Sequence, residues 1–221
     1  WRSRRRAVLH LPAGQALDPA LDEAATFRQV RLDLGQVISV EPRTAYPDRA
    51  WPRTYNNRLP ELPPREVFVE YAAHEDARFH LPGGRAVPVA RVEAGARGGA
   101  IRPVPPADRR VTLRVVEKGT RKPVPVKLHL HGQAGEYLAP LDRHRIPNAL
   151  WFQDYGVEFS HRGVHHCAYI DGETDVLLPV GRVYVEVSKG FEIRPVRRVV
   201  RVTRATREIT VEIEKVLPWR R

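Results

Sequence analysis

Lys127-Leu128-His129-Leu130-His131-Gly132 sets two imidazoles one residue apart. On a β-strand, positions i and i+2 point the same way, so the pair could supply half of a metal site. Such a site needs a third ligand. Asp142, His144, His161, His165 and His166 are the candidates, all in or beside a long irregular stretch at 136–166. The alternation argues against ligation. Val126, Leu128 and Leu130 form an apolar face that should take the core, which turns Lys127, His129 and His131 outward, toward solvent or another domain. Lys127 also adds a positive charge to the face that would have to hold a cation.

Cys167 follows His166, and a thiol beside an imidazole suggests a nucleophile with its base. Adjacent strand residues point to opposite faces, however, so Cys167 reads as a small core residue. The chain has no G-x-S-x-G, no P-loop and no G-x-G-x-x-G, and its acidic residues form no recognisable catalytic pair. Within 136–166, Trp151, Phe152, Asp154 and Tyr155 crowd together. A loop this long inside a compact domain either folds over its own sheet or meets a partner or ligand.

The elements that must position these residues are strands. Pro and Gly punctuate short apolar runs, 20 and 15 times in 221 residues. Period-two alternation puts Val111, Leu113 and Val115 on one face. It does the same for Val183, Val185 and Val187, with Arg182, Tyr184 and Glu186 opposite, and for Ile209, Val211 and Ile213. One short helix is predicted over 18–30, opened by Asp18 and Pro19. Pro82-Gly83-Gly84 reads as a hairpin joining strands at 66–81 and 86–93. The Pro-rich stretch 42–64 reads as a surface loop, and 95–110 as a linker. The prediction is an all-β chain of two β-sandwich domains, at 1–105 and 106–221, the second carrying the insertion at 136–166.

Composition narrows the classes. The formal net charge is +11, and lysine occurs only at 118, 122, 127, 189 and 215, the remaining basic residues being arginine. The arginines are scattered without interleaved aromatics, so neither nucleic acid nor membrane is the expected partner. The run at 194–202 reads as edge-strand protection. One cysteine excludes a disulfide framework. No apolar run approaches the roughly 18 residues of a spanning helix, and no signal peptide is visible, so compartment stays open. With no Met at all, the chain reads as a piece of a longer protein.

The segment 110–216 resembles a transthyretin-like, or carboxypeptidase-regulatory-like, β-sandwich. The resemblance rests on VTLRVVEKGTRKPVPVKLHLHG and on YIDGETDVLLPVGRVYVEVSKGFE, followed by paired terminal strands. More narrowly, EYLAP, F-x-D-Y, AYIDGETDVLLPVGRVYVEVSKGFEIRPVRR and a terminal PW resemble the region before the catalytic domain of bacterial carbaryl-hydrolase-like metallohydrolases, relatives of the PHP phosphoesterases. That resemblance implies a D-x-H-x-H motif, and a divalent metal, in a C-terminal catalytic domain beyond Trp219. This fragment would then hold no cofactor and no catalytic residue, and its partner would be its own catalytic domain. An independent carbohydrate- or ligand-binding module is one alternative. A small metal site built on His129, His131, His144 and His165 is another.

Overall fold

The computed structural model describes residues 5–11, 30–48, 60–81, 84–95, 99–142, 158–161 and 165–217. The helix predicted over 18–30 falls outside them, apart from Val30. So do Trp151, Phe152, Asp154, Tyr155 and His144. The fold is all-β. Two compact units emerge, Trp1–Ala45 with Glu61–Pro106, and Tyr46–Pro60 with Ala107–Arg221.

In the first unit, β1 (Arg5–His10), β3 (Gly35–Pro42), β4 (Glu66–Ala73) and β7 (Ile101–Pro103) form a sheet of order β3-β4-β1-β7. The strands β2 (Arg31–Leu32), β5 (Arg78–Leu81) and β6 (Arg85–Pro88) form a second sheet. Leu9, Val67, Val69, Tyr71, Phe79 and Ile101 share one core. The hairpin across Pro82-Gly83-Gly84 forms as β5 and β6. The strand expected to continue from β6 does not: Val89–Glu93 makes one helical turn, α1, and buries Val89 and Val92. The supposed linker is also partly strand. Ile101 is buried and pairs with Leu9, so its backbone and side chain are both committed to the fold.

The second unit is a two-layer sandwich. One sheet has the order β12-β8-β15, from β8 (Ala107–Glu117), β12 (Glu173–Pro179) and β15 (Glu208–Ile213). The other has the order β10-β11-β9-β13-β14, from β9 (Val126–Gly132), β10 (Glu158–His161), β11 (His165–Ile170), β13 (Gly181–Ser188) and β14 (Val196–Val202). Val111, Leu113, Val115, Leu128, Leu130, Val183, Val185, Val187, Val211 and Ile213 fill the space between them. These are the inward positions that alternation assigns. The terminal strands do not pair with each other as expected. The chain crosses between layers after β14, so β14 pairs with β13 and β15 runs parallel to β8. A short turn therefore joins two sheets here instead of closing a hairpin. Arg198 lies on the inward side of the edge strand and reaches the carbonyl of Thr210 in the other layer, 3.4 Å away. A cation on the inward side of a sheet edge disfavours pairing with an apolar or like-charged strand.

Gly172 links the β11 and β12 ends of the layers with φ +105°, and a Cβ there would sit 2.6 Å from the backbone nitrogen of Val124. Neither backbone neighbour nor left-handed conformation tolerates a side chain. Gly172→Ala is expected to cost about 1–3 kcal/mol, read as a lowered urea midpoint at unchanged slope. The outer face of the three-stranded sheet is solvent-facing and charged. Arg110 pairs with Asp175, Arg114 with Glu173 and Glu208, and Arg121 with Glu212. The Arg110 hydrogen bond, then that of Thr112, hold the Asp175 carboxyl below its ordinary range. A lowered folded pKa contributes stability above the unfolded value and loses it as pH falls through the folded value. Asp175→Asn should therefore lower the melting temperature at neutral pH. The gap to the unmodified protein should close on acidification below about pH 3, near and under the ordinary Asp value. A gap that persists at low pH would contradict this.

Candidate functional site: a buried imidazole and tyrosine cluster

The outer face of the five-stranded sheet is where the histidines lie, and it is covered. His131 is 0% exposed, and His129, His166, Tyr184, Glu186 and Arg197 are also buried. His129 and His131 do lie on the face opposite the apolar core, as alternation assigns, but that face is covered by side chains and not open to solvent. Both faces of β9 and β13 are packed, one by the valines and leucines and the other by aromatic and ionic side chains. The same finding revises Tyr184 and Glu186, read as outward-facing polar positions. Arg182 alone of that trio stays half-exposed.

Ladder register builds the cluster. On β13 and β9, Tyr184 stands opposite His131 and Glu186 opposite His129. On β13 and β14, Glu186 stands opposite Arg197. Glu186 and Arg197 form an ion pair with both side chains 1% exposed. Tyr137 bridges back onto His131 through the tight turn at 132–135, and its ring lies 5.6 Å from that of His131 and 5.3 Å from that of His166.

A strap from the Pro-rich stretch expected to be a surface loop completes the cover. Tyr46 sets its ring 4.6 Å from His131 and 5.2 Å from Tyr184, with the Arg197 guanidinium 5.8 Å from its centroid. Asp48 accepts a 2.6 Å hydrogen bond from the Tyr184 hydroxyl and pairs with Arg182. Burial, with the Glu186 charge adding to it and Arg197 opposing it, pushes the Tyr46 hydroxyl far up, so it stays neutral. The signal for this strap was present but weak: an aromatic and an acid two apart, in a stretch whose prolines pointed only to a loop.

The imidazole nitrogens have defined neighbours. The carbonyl oxygen of His166 lies 2.8 Å from Nδ1 of His129 and 3.1 Å from Nε2 of His131, and Nδ1 of His131 lies 3.3 Å from the carbonyl oxygen of Gly135. A carbonyl only accepts, so a ring nitrogen bonded to it carries its hydrogen. A nitrogen in that state has no lone pair for a metal, which leaves the opposite nitrogen of His129 as the one ring position of the pair not turned to the carbonyl of His166 or Gly135. Asp142, offered as a further ligand, is carried to the other sheet, where it accepts a 2.9 Å bond from the Thr174 hydroxyl. His161 and His165 pair opposite each other on β10 and β11, and His144 lies outside the described residues. Among the described residues, no three His, Cys, Asp or Glu side chains are placed to hold one metal ion. Cys167 is buried. No described helix is long and apolar enough to cross a membrane.

The class these observations define is an all-β chain whose second unit is a two-layer sandwich, covered on the outer face of its larger sheet. No protein-family model matches the chain, and no curated protein matches it. Among solved structures it is similar to the group B streptococcus pilus 2b backbone protein at 11% identity and a TM-score of 0.34, over 96% of this chain and 86% of that one. It is also similar to BcpA, the major pilin subunit of Bacillus cereus, in a D312A form, at 8% identity and a TM-score of 0.29, over 96% of this chain and 59% of that one. Likeness at this level carries nothing of the pilins' function to this chain.

Proposed function

We propose that this chain is a non-catalytic accessory region that packs on and positions the catalytic domain of a metal-dependent hydrolase. The observation that carries the reading is the use made of its chemistry-bearing side chains. The imidazoles of His129 and His131 are turned to backbone carbonyls, Glu186 is paired with Arg197, and Tyr46 lies over both groups. These groups hold a sheet face together. Of the 110–216 segment that carries the transthyretin-like resemblance, residues 171–187 form β12, a glycine turn and β13, with Val183, Val185 and Val187 in the core. That placement supports the resemblance from which the hydrolase reading comes.

Exposed apolar side chains support a neighbouring domain in this reading. Phe191 is 92% exposed. Val216 donates to the carbonyl of Glu192 and Ile193 bridges Lys215, which brings exposed Leu217 beside Phe191. In this reading the divalent metal belongs to the catalytic domain, and that domain is the partner. The reading frame that carries the chain tests it. A D-x-H-x-H motif is expected shortly beyond Arg221, and metal-dependent hydrolysis should require the part that holds it. A frame without the motif, or hydrolysis by the 221-residue chain alone, would refute the reading.

A further inference from the structure

Strand β14 ends its sheet, so one row of its backbone N–H and C=O groups points away from β13, and no described strand pairs with that row. Arginines crowd this edge: Arg194, Arg197, Arg198, Arg201 and Arg204. Three are engaged. Arg197 pairs with Glu186, Arg198 reaches Thr210, and Arg204 lies close enough to Asp108 to help hold its carboxyl down. Arg194 and Arg201 are exposed and make no ion pair among the described residues. Arg201 also stands directly opposite Arg182, and it is Arg182 that has Asp48. Like charges facing each other across a ladder are unfavourable.

We propose that the β14 edge is a docking site for an extended acidic peptide segment, which adds as a strand and sets its carboxylates beside Arg201. Main-chain bonds to this edge, which no described strand pairs, would supply affinity, and the guanidinium groups would select sequence. The same charges argue against a second copy of this chain as the occupant. Antiparallel self-pairing centred between Val199 and Val200 would oppose Arg198 of each copy to Arg201 of the other. That repulsion discriminates against self, and an acidic strand turns it into attraction. The proposal does not depend on the hydrolase reading.

The test uses the 221-residue chain and a labelled peptide of alternating Glu and Val, followed by fluorescence anisotropy at low salt. Comparison probes are a peptide of equal charge with prolines replacing alternate valines, a Lys–Val peptide, and an oligothymidylate of equal charge. The Glu–Val peptide should bind and shift the amide signals of β14. Proline removes the donors a ladder needs, so the proline peptide should bind at least about tenfold more weakly. Arg201→Glu should weaken binding by about tenfold or more, in line with a close charge pair at an interface. Arg201→Gln should fall between, and circular dichroism checks that both variants are folded. Absence of binding, equal binding of the proline peptide, or oligothymidylate binding as tightly as the Glu–Val peptide would overturn the proposal.

Discussion

Arg197→Met is expected to cost about 3–5 kcal/mol, because it strands the Glu186 carboxylate in a dry site. Both side chains of the pair are 1% exposed, on neighbouring strands in direct register. Taking an ion from water costs several kcal/mol after relaxation, and only the opposite charge and nearby donors return it. The Tyr46 ring lies over Arg197, so the variant also removes a cation from an aromatic face. The companion variant separates charge from packing. Replacing both partners together, Arg197→Met with Glu186→Leu, should restore most of the loss, since an apolar pair of similar volume does as well as a buried ion pair in many proteins. Chemical denaturation of the single and double variants measures this. A single variant within about 0.5 kcal/mol of the parent, as surface substitutions typically are, would mean that the pair is hydrated in solution.

His131→Ala is the second large effect, and Leu130→Ala is its control. Leu130 lies in the sandwich core and should cost about 2–5 kcal/mol on truncation. If the next residue faced water, its truncation would cost almost nothing. His131 instead packs between the rings of Tyr46 and Tyr137 and bonds the carbonyl of His166. Removing it leaves a cavity and takes one of two ring nitrogens from the His166 carbonyl, at a cost of about 2–4 kcal/mol, chiefly by the same cavity argument. Comparable losses at both positions would establish that β9 is covered on both faces. A near-neutral His131→Ala would return it to a one-sided strand.

Much of the second unit was legible because its inward positions are Val, Leu and Ile at strict period two. Val183, Val185 and Val187 needed no context. The outer face was not legible in the same way. Tyr184, Glu186, His129 and His131 are amphipathic or ionisable, and alternation alone assigns such residues to water. What buries them comes from Tyr46 and Asp48, remote in sequence, and from Arg197 two strands from His131 in the sheet. Burial by a distant segment leaves no local period. The mispairing of the terminal strands has a related cause. Turn chemistry between β14 and β15 reports a reversal, not which sheet receives the next strand. In the first half, α1 and β7 were missed because Val, Pro and Gly placements there satisfy strand, helix and loop about equally over such short lengths.

The histidine pair was the feature most open to a chemical reading, and its role in holding the sheet face is the central claim. Zinc titration followed by the imidazole nitrogen and proton signals of His129 and His131 tests it most directly. With both rings buried and no three His, Cys, Asp or Glu side chains among the described residues placed to hold one ion, both rings should keep their signals through one equivalent of zinc at neutral pH. Concerted shifts of both rings at stoichiometric zinc would contradict the account and restore the metal site.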